Sequence, residues 1–302
     1  MTDTQRTRHG RTAGMRTALR REIAGTIGLL ADEQDFAAMR KYRSFTFDDH
    51  TVYLRQVEQL LAALAAKGGH TSVALFDPEE YAEFCAESGI EPDAPTSRTR
   101  FTAELAATGP AVAYEGQPFD DLVPALVDES VRQATWQYTS TTLTHIGPCA
   151  GCGADIGRAA FARASHLVAR AVEAVGRGAH HWVGSVPSNQ GTLHAVLHID
   201  ATAPGSADLD EVEAMELTTL LALALAHRNA FALVARTTAG RQQRVFGWRL
   251  KDERLEPIPA ARVFDAYCID TESGDLTAPE PGVDYCTAPQ LADAGPEDRS
   301  CH

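Results

Sequence analysis

Six cysteines in 302 residues are too few for a disulfide-stapled secreted fold. A convincing secretory leader is also missing, since the nearest apolar stretch, Ile23 to Ala31, is short, broken by Gly25 and Gly28, and flanked by Glu22. Together these absences point to a cytoplasmic protein. No apolar run reads as a membrane span: the longest, Met215 to Ala235, contains Glu216 and is interrupted by His227, Arg228 and Asn229, which suits a buried helix. A glycine-rich phosphate loop, a nucleophile elbow and a helical metalloprotease motif are absent as well, so no motif names an enzyme class.

Lysine is nearly absent, with only Lys41, Lys67 and Lys251, and the formal net charge is -14. A surface of that sign disfavours polyanions, because binding DNA requires clustered Lys and Arg to neutralise phosphates. The charge is uneven. Arg6, Arg8, Arg11, Arg16, Arg20 and Arg21 face only Asp3 near the start, whereas residues 251–302 carry four basic and twelve acidic side chains. Nucleic acid is thus expected only through the N-terminal arm, a solvated terminus, and the partner is expected to be a protein or a small molecule.

What is present is an ordinary globular composition, 44% hydrophobic and 23% charged, at a length that favours two domains. The pattern predicts an α+β fold: a disordered basic arm over residues 1–15, a helical and α/β domain over 16–146, a second domain over 147–270, and a flexible acidic tail over 271–302. In the first domain helices are expected from Arg16 to Asp35, Asp48 to Lys67, Arg98 to Ala107 and Phe119 towards Thr142, with strands at Thr71 to Phe76 and Ala111 to Tyr114. The helix after Asp77-Pro78 is the best marked: Asp77 can cap it, Pro78 fits the first turn, Phe76 can staple onto Tyr81, and Gly89 closes it. Alternation of this kind suggests a parallel strand pair with a crossover.

The second domain reads as α-β-β-α-β-β with an antiparallel sheet. A helix from Ala154 to Val175 leads into a hairpin of His181 to Val186 and Thr192 to Ile199 around Ser188-Asn189-Gln190-Gly191. A mostly apolar helix spans Leu209 to Ala235, opened by a capping box of Asp210 and Glu213, and strands follow at Arg244 to Leu250 and Arg262 to Ile269. From Thr271 the composition turns to Asp, Glu, Gly, Pro and Thr, which predicts a tail unable to bury enough apolar area to order.

The chemistry concentrates in Pro148-Cys149-Ala150-Gly151-Cys152-Gly153. Two thiolates at this spacing form the knuckle used in zinc ribbons and treble clefs, supplying two of the four ligands a structural Zn2+ needs. Candidates for the rest are His145, four residues before Cys149, His194, which the hairpin would bring back to the knuckle end, and Cys268. The hairpin places His180 and His181 at the far end from His194. His198 shares the His194 face about 13 Å further along the strand. His166 is excluded, because it sits roughly 18 Å along the following helix and lacks a second histidine three to five residues on. Two other readings stay open: a redox pair activated by a helix N-terminus, and two inert thiols in a loop.

The expected function is a binding or regulatory protein with a structural zinc knuckle. The alternative is an enzyme using the pair for thiol redox chemistry, or an open-site metal for hydrolysis. His180-His181 and His194-x3-His198 could serve as general base or metal ligands, yet no carboxylate or nucleophile is placed beside them, which favours satisfied strand histidines. Asp77 is explained by capping and Cys85 by the core stripe of its helix.

Overall fold

The computed structural model describes residues 25–291 except 69, 190, 204–206 and 271–274. The basic arm and the end of the acidic tail lie outside them. The protein is α+β and divides into two compact units, residues 1–133 and 134–302.

The first unit begins with β1 (Gly25–Leu29), a correction to the helix expected there. Two glycines and two β-branched residues in five weaken a helix, and Gly28 lies so close to Phe76 that an added Cβ would meet the ring at 2.8 Å. Helices α1 (Glu33–Met39) and α2 (His50–Ala65) form the crossover to β2 (Thr71–Leu75), which pairs in parallel with β1 from Gly25 opposite Thr71 to Leu29 opposite Leu75. Then come α3 (Pro78–Ser88), α4 (Pro95–Thr108), β3 (Val112–Ala113), antiparallel to β2, and α5 (Phe119–His145).

Aspartates start three of these helices: Asp32, Asp49 and Asp77 each accept backbone N–H groups of the first turn. Such caps satisfy donors that the helix itself cannot. Gly89 ends α3 at a φ of 63°, in the left-handed region that favours glycine. The core is aromatic, with Phe36, Tyr53, Phe76, Tyr81 and Phe101 buried among Leu29, Met39, Leu61 and Val73. Phe76 and Tyr81 pack as the staple pattern implies, at 5.3 Å between ring centroids. Leu122 and Leu126 of α5 belong to this core, whereas Leu143 near its end belongs to the second. The division of the chain thus falls within a helix, thirteen residues before the expected boundary at 146.

The second unit contains α6 (Ile156–Ala174), β4 (Ala179–Ser188), β5 (Gly191–Asp200), β6 (Asp208–Leu209), α7 (Glu211–His227), β7 (Ala232–Ala239), β8 (Gln242–Lys251), β9 (Arg254–Pro257), α8 (Ala260–Cys268) and β10 (Val283–Tyr285). Its seven-stranded sheet runs β10-β8-β7-β4-β5-β6, with β9 beside β8, and every pairing is antiparallel except β10 with β8. Helices α6 and α7 close one face over Trp182, Leu197, Ala235, Phe246 and Trp248. Side chains alternate along a strand, so Val245 and Phe246, both buried, show β8 covered on both faces. The second cover is α8, packed on β8 and β10.

Three expectations are corrected here. The apolar stretch to Ala235 is a helix followed by a strand, because Arg228 turns left-handed at φ 53° and stops α7. Arg262 to Ile269 is helical: Val263, Phe264, Tyr267 and Cys268 recur at helical spacing, with Val263 and Cys268 turned inward. The described tail is ordered against the sheet, since β10 pairs with β8, Ala288 is buried, and Trp248 Nε1 donates to the Pro289 carbonyl at 2.9 Å. The order observed is α-β-β-β-α-β-β-β-α-β, so β6 interrupts the expected α-β-β-α-β-β run and β7 and β8 follow α7.

Candidate functional site

Between α5 and α6 the backbone folds into the knuckle. Cys149 N–H donates to the Ala154 carbonyl and Gly153 N–H to the Cys149 carbonyl, each at 2.8 Å, while Pro148 and Asp155 form an antiparallel bridge. Gly153 makes this possible at a φ of 75°, a conformation that costs other residues about 1–2 kcal/mol. Cys152 is exposed and Cys149 half-buried. The helix begins only at Ile156, and the Asp155 carboxylate already caps it through Arg158 N–H. The thiols thus precede the first turn of α6 rather than lying within it.

His145 ends α5 with its Nδ1 donating to the Thr141 carbonyl at 2.7 Å, which leaves Nε2 as the nitrogen with a lone pair. His194 is exposed on β5 opposite Ser185, and Cys268 is fully buried as the last residue of α8. Among the described residues no three His, Cys, Asp or Glu side chains gather closely enough to hold one metal ion. None of these three candidates is therefore brought up to complete the pair.

A second constellation lies on the face of the sheet opposite α6 and α7. The hairpin puts His181 directly across from His198. His181 Nδ1 is 2.9 Å from His198 Nε2, and His198 Nδ1 is 3.0 and 3.1 Å from the two carboxylate oxygens of Glu213. Glu213 also accepts the His198 backbone N–H at 2.7 Å. The capping box is thereby revised: Asp210 caps α7, but Glu213 reaches across to β5. A carboxylate can only accept, so His198 carries a proton on Nδ1; when His198 is neutral, its Nε2 accepts from His181 Nδ1. Partial burial first, then repulsion from His198 when it is protonated and from Arg236, hold the His181 imidazole below its usual pKa, against the opposing pull of Glu213.

Next in the same cross-strand row is Arg236, opposite His181, whose charge is met by Glu280 through two bonds of 2.9 and 2.6 Å. On the other side His198 borders an open cavity of about 610 Å³ with Asp200, Asp208, Asp210 and Glu211 on its wall. His180 faces the core, its Nδ1 accepting from Thr237 and its Nε2 donating to Gly176, as a satisfied strand histidine should. In the first unit a groove of about 540 Å³ runs between β1 and α4, but its one charged side chain, Arg98, is engaged by Ser44 at 2.7 and 3.0 Å.

The histidine pairing was legible in principle. Once the turn is closed by Ser188 and Gly191, His181 and His198 each stand seven residues from it. Glu213 carries no such signal, because its contact depends on where α7 docks.

Among helices of the described residues, none is long and apolar enough to cross a membrane. Residues 14–117 match a family model described as a domain of unknown function, DUF8829, which falls within the first unit. No curated protein and no solved structure matches the chain.

Proposed function

We propose that the chain is a cytoplasmic binding or regulatory protein whose second unit holds a structural zinc ion at Cys149 and Cys152. The observation that carries this reading is the closed turn around the thiols, with Gly153 left-handed and its N–H on the Cys149 carbonyl. A turn already closed by its own backbone hydrogen bonds supports the reading, because less chain has to be ordered when an ion is chelated. His145 is the third ligand: ligating histidines donate their other N–H to a carbonyl or carboxylate, and Nδ1 already does so with Thr141. Its side chain has to swing towards the pair from the last turn of α5. The fourth ligand comes from outside this set.

Zinc content of the purified full chain tests the reading. About one zinc per chain is expected, lost in Cys149→Ser and Cys152→Ser and held more weakly in His145→Ala. Equal, near-zero zinc in all four proteins would overturn it. Rapid, reversible formation of a Cys149–Cys152 disulfide in the zinc-free chain would favour the thiol enzyme instead.

A further inference from the structure

We propose that His181 and His198, with Glu213 behind them, form a second metal site on the open face of the sheet, one that takes an imidazole-preferring divalent ion such as Zn2+, Ni2+ or Cu2+. Neutral imidazoles suit these ions, whereas Mg2+ and Ca2+ call for oxygen donors.

Three observations converge on it. Two ring nitrogens on neighbouring strands already point at each other across 2.9 Å. Two nitrogens on one tetrahedral ion lie roughly 3.3 Å apart, so the rings need to part by about half an ångström and tilt until both lone pairs meet at the ion. The carboxylate is placed where a metal-bound histidine wants its partner: Glu213 holds Nδ1–H of His198, fixing the tautomer whose Nε2 can coordinate and raising its basicity. The surroundings also accept a cation. Glu280 answers the nearest positive charge, Arg236, and the cavity beside His198 is walled by acidic side chains.

Binding requires one proton to move. With both rings neutral and no metal, His181 carries its proton on Nδ1 and donates it to His198. With metal, that proton is relocated to Nε2 of the same ring and Nδ1 coordinates, so both imidazoles stay neutral and no net proton is released. Two nitrogens then hold the ion, and its remaining positions are filled by water, which leaves an open site rather than a closed structural one.

The experiment is calorimetric titration of Ni2+ into the untagged full chain, in the wild type and in a Cys149→Ser/Cys152→Ser background. In the second protein the knuckle is removed, so failure of the zinc knuckle and failure of this site are distinguishable. If that background does not fold, the wild type carrying the same histidine substitutions gives the answer by stoichiometry. One Ni2+ equivalent is expected to vanish in His181→Ala and in His198→Ala. Its affinity should fall about 10- to 100-fold in Glu213→Gln. His194→Ala, which alters an exposed histidine on the same strand, should leave it unchanged. Undiminished binding in His198→Ala, or loss of the equivalent in His194→Ala, would overturn the assignment.

Discussion

Tyr81 in the first unit and Trp248 in the second are both fully buried, and each donates its polar hydrogen to a proline carbonyl, Pro92 at 2.5 Å and Pro289 at 2.9 Å. The reach differs. Tyr81 holds a turn eleven residues away inside a ring of aromatics, whereas Trp248 holds a segment forty-one residues away, beyond α8. The first unit is built from local connections and places its aspartates at helix starts. In the second, long-range pairing closes one face of the sheet completely and the other only at its β8 end, and on the uncovered part polar side chains converge. Both candidate metal sites lie in the second unit, outside the region that the DUF8829 model matches.

The sharpest break of this comparison is Trp248→Ala. Removing a buried tryptophan costs about 3–5 kcal/mol, and here it also removes the anchor of residues 283–291. Denaturant unfolding should show the loss, and limited proteolysis should find new cleavage in that segment. Tyr81→Phe, which keeps its ring, should cost only about 1 kcal/mol. Unchanged protection of residues 283–291 in Trp248→Ala would show that β10 pairing alone holds the tail.

The same contrast explains what could be read from sequence. Several local signals held: Asp77, Pro78 and Gly89 bound α3 as expected, and the hairpin closes between Ser188 and Gly191. Failures had different causes: Arg262 to Ile269 carried a helical spacing that its β-branched and aromatic residues masked, and in the apolar run burial on all sides erased periodicity. In α7 every residue from Glu216 to Ala224 is buried, so periodicity gives no helix face, and His227, Arg228 and Asn229 read as an interruption of one helix rather than as its end. The tail misled through composition, because β10 is ordered by its partner strand and by Trp248 rather than by apolar content of its own. For the candidate sites, Cys149 and Cys152 were visible as a spacing. The histidine pair needed the hairpin register, and Glu213 needed the docked position of α7.

A finer test compares two tryptophans 5.9 Å apart between ring centroids. Trp248 Nε1 has Pro289, but Trp182 Nε1 is buried with no hydrogen-bond partner among the described residues. Replacing either by phenylalanine removes a similar volume. Trp248→Phe additionally leaves a carbonyl unpaired, while Trp182→Phe removes a donor whose burial is already unfavourable. Trp182→Phe should therefore be the milder change by about 1 kcal/mol or more, measured by denaturant midpoints at equal slope. Equal losses would mean that the Trp182 N–H has an acceptor after all.

The smallest effect separates the units by sign. Asp35 of α1 has its carboxyl held above the ordinary 3.8, by partial burial first and then by the negative charges of Asp77, Asp32 and Glu79. Its ionisation therefore opposes folding at neutral pH, and the penalty disappears as pH falls through the raised value towards 3.8. Asp200 of β5 is the reverse. The Thr202 hydroxyl and N–H hold it below 3.8, so its charge favours folding above the unfolded value and that gain is lost as pH falls through the folded one. Asp35→Asn should stabilise the protein at pH 7 by a few tenths of a kcal/mol, a size set by solvent screening, and Asp200→Asn should destabilise it. Both differences should vanish in acid below the lower of the two carboxyl values, and the Asp35→Asn gain should shrink in high salt. Urea melts of the two variants at pH 7 and in acid decide the matter: the same sign for both at pH 7 would mean that the acidic surface acts through net charge alone and not through these local partners.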